Sequence, residues 1–138
     1  MPARDIYHAA VRAALDKDGW LITHDPMMLS WGKADVYIDL GAELLIAAEK
    51  ASRRIAVEIK SFTGPSPIQD LRNALGQFIL YNDILARLEP DRDLYLAVDR
   101  DVFEDLFEDP IGQLLLDNGR IRLLVFNPQE EEIEKWLP

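Results

Sequence analysis

The sequence predicts a mixed α/β fold in one domain: a mixed central sheet flanked by helices, in the order α, β, β, β, α, β, α, β, α. Three observations predict it. The β-branched residues Ile55, Val57 and Ile59 mark a buried strand that stops before Thr63-Gly64-Pro65. Ser66-Pro67-Ile68-Gln69 then opens a long helix, with Ser66 as N-cap, Pro67 in the first turn and Gln69 placed for a capping box. Strand-like segments cluster before that helix, whereas helices and strands alternate after it.

The chain has 138 residues, enough for a real core, and no repeat, linker or low-complexity run divides it, so residues 1–138 read as a single domain. It contains no Cys, which excludes disulfides and thiolate metal sites. Met1 to Ala10 includes Arg4, Asp5 and His8 and lacks an apolar signal core, and no apolar run approaches a membrane span. A soluble cytoplasmic protein is expected. The net charge of −10 argues against tight, unassisted binding along a nucleic-acid backbone, which needs phosphate-neutralising Lys and Arg. It leaves room for a small basic patch or for a partner that supplies the charge.

Taken in order, residues 4–17 predict a first helix, Ala-rich and stopped by Asp18-Gly19. Trp20 to His24 predicts a short strand ended by Asp25-Pro26, and Met27 to Lys33 a loop. Residues 35–49 predict either one strand with a bulge near Gly41 or two strands. Lys50 to Arg53 is expected to turn the chain into an antiparallel strand over 54–60. The helix from Pro67 should reach about Leu88, with Leu71, Leu75, Phe78, Ile79 and Leu85 inward. Asp93 to Val98 predicts a buried strand. Asp101-x-x-Glu104 predicts a capped short helix, Ile111 to Asp117 a second, Arg120 to Phe126 a strand, and Asn127-Pro128 the cap of a last helix.

Glu58 and Lys60 share one face of the 54–60 strand, about 6.5–7 Å apart. They form the one Glu/Asp-x-Lys triplet of the chain. The plainer account of them is an intrastrand ion pair. Asp39 precedes Gly41, which would let the strand bend and a phosphate or metal approach the backbone. Antiparallel pairing can bring Asp39 and Glu58 to one sheet end. Two carboxylates there suit a hard cation, Mg2+ or Mn2+, and Lys60 beside them can hold an attacking water or developing phosphorane charge. The plainer account of Asp39 is a turn cap, and Asp35, on the same strand face, competes with it.

Ile38-Asp39-Leu40, Glu58-Ile59-Lys60 and the α-β-β-β-α-β order over residues 4–98 resemble the PD-(D/E)xK nuclease superfamily, which has a restriction-endonuclease-like three-layer fold. Ile38 stands where that pattern usually has Pro. Gln77 and Tyr81 match a Gln-x-x-x-Tyr pattern that faces the active site and contacts nucleic acid in one branch of the superfamily. A helix-1 carboxylate often completes these sites. Asp5 is the candidate here, and His8 one turn on can reach the same cleft, although a hydrogen-bonded core-edge position suits His8 better. At whole-chain level, Arg4 to His8, Asp18-Gly19-Trp20 to Pro26, Ile55 to Phe62 and Leu75 to Tyr81 resemble the XisH family. That resemblance implies an excision controlling factor, of the kind associated with the fdxN element in cyanobacteria, acting with a XisI-type partner and a recombinase on DNA. Two roles follow: a metal-dependent endonuclease-like protein, or a catalytically silent subunit that keeps the fold and binds XisI or the recombinase. Nucleases of this fold often pair to cut two strands, so a homodimer is compatible.

Overall fold

A computed structural model describes residues 4–46 and 51–138. Its main sheet has six strands in the order β1 (Leu21–His24), β4 (Leu40–Ile46), β5 (Ala51–Ile59), β6 (Arg92–Asp99), β7 (Leu123–Asn127) and β8 (Glu132–Leu137). β5–β6 and β6–β7 are parallel, and the other pairs are antiparallel, so the sheet is mixed as expected. β2 (Met27–Trp31) and β3 (Ala34–Ile38) form a separate two-stranded hairpin.

Alternation along β5 builds two cores. Ile55, Val57 and Ile59 pack with Val11 and Leu15 of α1 (His8–Lys17), together with Tyr95, Ala97, Leu124 and Phe126. Ala56 faces the other way, into the layer made by Leu71, Ala74, Phe78 and Leu85 of α2 (Pro67–Leu88). The hairpin residues Met27, Leu29 and Ile38 join that second layer. Fully burying side chains of this size contributes about 1.5–3 kcal/mol each, so the two layers fix the sheet between the helices.

α2 begins and ends as the sequence predicts, and the Ser66 hydroxyl accepts the Gln69 N–H at 3.2 Å. The Gln69 side chain instead donates to Asn73, so the reciprocal half of the capping box is absent. Ile79 is 47% exposed rather than inward, because the buried row of α2 runs through Leu71, Ala74, Phe78 and Leu85.

Other expectations need correction. The first helix starts at His8, not residue 4. Met27 to Trp31 is a strand, not a loop: Gly32, at φ 62°, supplies the left-handed backbone of a two-residue hairpin turn. Ala51 to Arg53 belongs to β5, whereas the expected turn residue Lys50 and the stretch 47–49 lie outside the described residues. The helix after β6 is capped by Asp99, which accepts the Val102 N–H at 2.9 Å, not by Asp101. That helix, α3 (Arg100–Val102), passes into a π-helical turn over Phe103–Phe107, and α4 (Pro110–Asp117) follows. The last element is a strand, β8, not a helix. The Asn127 side chain accepts the N–H groups of Gln129 and Glu130, and Glu131 at φ 53° turns the chain back. Trp136 of β8 then meets Tyr95 at 4.9 Å and Trp20 at 5.7 Å between ring centres, a burial that outweighs the dipole preference of three consecutive Glu.

Candidate functional site

The site forms where the β4–β5 ladder ends. Leu40 pairs with Val57, so the next residues outward, Asp39 and Glu58, face each other. Side chains take over from the backbone ladder there. The Asp39 N–H donates to Glu58 Oε1 at 3.3 Å, and the Ile59 N–H donates to Asp39 Oδ2 at 2.7 Å. One oxygen of each carboxylate is thus fixed by a main-chain donor. Lys60 follows at once, its N–H bonded to the Ala97 carbonyl of β6 at 3.1 Å. This is the carboxyl end of parallel strands crossed over by α2, the place where open α/β sheets bind ligands.

Glu58 is 6% exposed. Burial, then the hydrogen bond and negative charge of Asp39, push its carboxyl up to about 9, against a smaller downward pull from Lys60. The pair is therefore short of positive charge. Tyr81 of α2 is also raised above the ordinary tyrosine value, first by burial and then by the charges of Glu58 and Asp39, so its hydroxyl keeps its proton and remains a donor. Gln77, one turn earlier, has a buried Oε1 with no hydrogen-bond partner.

A cavity of about 330 Å3 is lined by Asp5, Asp35, Asp39, Glu58, Lys60, Gln77 and Tyr81 together. Seven of the eight residues singled out from sequence thus share one wall system. Asp5 lies before α1, where its carboxylate accepts the N–H groups of Tyr7 and Ser61 at 2.9 and 3.1 Å and ties the N-terminal segment to the end of β5. Asp35 accepts the Ser30 hydroxyl at 2.7 Å on the hairpin, apart from the Asp39–Glu58 pair.

His8 is the exception. It is 5% exposed and absent from the cavity wall; its Nε2 lies 2.7 Å from Asp25 Oδ1. Burial pushes the Asp25 carboxyl up, but hydrogen bonds with Arg12 and His8 and the charges of His8 and Arg4 overcome this and hold it below the usual carboxylate range. Gly41 also differs from expectation. A Cβ there would meet His24 Nδ1 at 2.9 Å and Arg92 at 3.3 Å, so the glycine makes room for β1 and the buried Arg92 rather than for a ligand.

Arg4 and Tyr37 also line the cavity and were not singled out. Tyr37 alternates with Asp35 along β3, a signal hidden while Met27 to Lys33 is read as a loop with no partner strand for β3. No group of three His, Asp or Glu side chains is arranged to hold a metal among the described residues. The oxygen donors that fit a hard cation are Asp39 and Glu58, with water completing the shell.

Fold and site together define a mixed α/β protein with an acidic, lysine-flanked cleft at the carboxyl ends of its parallel strands. The chain belongs to the XisH family: the family model, described as XisH protein, matches residues 1–134. A crystal structure of a XisH family protein from Nostoc punctiforme is 36% identical, with a TM-score of 0.87, covering 97% of this chain and 100% of that one. A fdxN element excision controlling factor protein from Anabaena variabilis is 37% identical, also with a TM-score of 0.87, covering 98% and 100%. No curated protein matches the chain significantly. No helix among the described residues is long and apolar enough to cross a membrane.

Proposed function

We propose that this XisH-family chain is an excision controlling factor whose cleft is a metal-dependent, nuclease-like site of the PD-(D/E)xK type, acting on DNA in element excision with a XisI-type partner. The observation that carries this reading is the meeting of Asp39 and Glu58 beside Lys60, under Gln77 and Tyr81, in one cavity. Asp39 and Glu58 would hold Mg2+ or Mn2+, and the two carboxylates, one of them held protonated by burial, fit a cation that replaces that proton's role. Such a cation supplies an activated water and neutralises phosphate charge. Within the chain, Lys60 brings a positive charge to the reacting phosphate, and the Tyr81 hydroxyl and Gln77 amide orient the substrate from α2. Assignment to the restriction-endonuclease-like fold is part of this proposal.

The absence of a three-ligand cluster among the described residues, with a net charge of −10, favours a second reading: a catalytically silent subunit that binds XisI or a recombinase. Calorimetric titration of Mn2+ separates the two. The first reading expects saturable binding that is lost in Asp39→Ala and in Glu58→Ala, followed by Mn2+-dependent cleavage with or without XisI. Silence of the wild type towards both Mn2+ and DNA, with XisI present, would select the second.

A further inference from the structure

The hairpin has two faces of opposite character. Met27, Leu29 and Ile38 are buried against α2 and anchor it. On the other face Met28 stands opposite Tyr37, and Ser30 opposite Asp35. Met28 is 55% exposed, and the Tyr37 ring is half-buried with no aromatic partner and no hydrogen bond among the described residues. Tyr37 also lines the cavity that holds Asp39, Glu58 and Lys60. An anchored ribbon therefore carries an unused aromatic face from the cleft towards solvent, continued by a flexible, polarisable Met.

Charge orients what can lie there. The cations of the cavity wall are Lys60 and the exposed Arg4, which also pairs with Asp25 at 3.4 Å. They stand on the side of Asp5, Asp39 and Glu58, where a bound cation would offset the acidic charge, whereas the hairpin contributes Asp35, which repels phosphate. A nucleic-acid strand would put its backbone along Arg4 and Lys60 and turn a base towards the hairpin. Every base presents a π-face, so an aromatic wall receives an unpaired base without regard to sequence, but not a base pair stacked inside a duplex.

We propose that Tyr37 and Met28 form a stacking platform for one unpaired nucleobase next to the phosphate held in the cleft, making the protein selective for single-stranded or locally opened DNA. The proposal rests on the nucleic-acid reading given above.

The test is fluorescence anisotropy of a short labelled single-stranded oligodeoxynucleotide, and of the matching duplex, with the full chain in Ca2+. The wild type should prefer the single strand. Tyr37→Ala and Tyr37→Leu should each weaken single-strand binding by about tenfold to a hundredfold, while Tyr37→Phe stays within about twofold. Tyr37→Leu keeps apolar bulk, and unchanged thermal melting excludes misfolding as the cause. Wild-type affinity in both Ala and Leu variants, or a preference for duplex, would overturn the platform while leaving the nucleic-acid reading intact. Failure of the wild type to bind either probe, both alone and with XisI present, would overturn both.

Discussion

Glu58→Gln makes the protein more stable, and more so as pH rises. In the folded chain Glu58 keeps its proton up to about pH 9, whereas an unfolded Glu loses it near the ordinary value of 4.5. Between those values the native state binds the extra proton, so the wild type loses stability as pH climbs through that window and levels off above it. Below pH 4.5 the acid is neutral in both states and contributes no difference. Gln is neutral throughout, can accept the Asp39 N–H as Glu58 does, and can donate to the Asp39 carboxylate. The gain should be small at pH 5.5 and on the order of several kcal/mol at pH 8.5, a rise in Tm of roughly 10 °C or more. Paired melting curves at the two pH values decide the matter. An equal increment at both would mean that Glu58 is not held protonated by its burial and by Asp39.

Gly112→Ala has the largest expected cost. A Cβ at Gly112 would sit 2.3 Å from the Leu106 carbonyl oxygen and 2.3 Å from Phe107 Cα. Both are backbone atoms of the π-helical turn, and Phe107 is fully buried, so nothing flexible is available to give way. The substitution should cost about 3 kcal/mol and lower Tm by roughly 10 °C. Gly76→Ala is the contrasting control. Gly76 lies within α2 with open space around its Cα, so Ala should stabilise by about 0.5–1 kcal/mol. Urea melts of the two variants check the pair; equal stability would refute the backbone clash at Gly112.

The parts of this molecule legible from sequence are those governed by local periodicity. Alternation alone places Ile55, Val57 and Ile59 on one side of β5 and Ala56 and Glu58 on the other. Gln77 and Tyr81 lie one helical turn apart on α2, so a correct α2 brings both to the same cavity. Ser66 and Pro67 announce the start of that helix through chemistry confined to a few residues. Tertiary decisions are harder to read. Nothing local distinguishes β3 continuing into β4 from β3 leaving for a separate hairpin at Asp39; the buried partners Met27 and Leu29, far from α2 in sequence, settle it. The chain after Pro128 carries helix-favouring Glu, yet Trp136 gains more by closing over Tyr95 and Trp20. Gly41 has a bend-like signature whose actual cause, the buried guanidinium of Arg92, lies on another strand. His8 carries a catalytic residue type but answers to Asp25, a partner the first helix cannot disclose.

The exchange of side-chain for main-chain bonds at Asp39 and Glu58 has a spectroscopic consequence. The amides of Asp39 and Ile59 donate to the two carboxylates rather than to carbonyls of a neighbouring strand. Their deuterium uptake is therefore governed by the state of those carboxylates, whereas the Lys60 amide, bonded to the Ala97 carbonyl, follows the sheet. Two amides become native reporters of cleft occupancy, with a third beside them as internal reference. In Asp39→Ala the Ile59 amide should exchange faster while Lys60 holds its rate, and exchange spectra can follow ligand arrival without a label or a turnover.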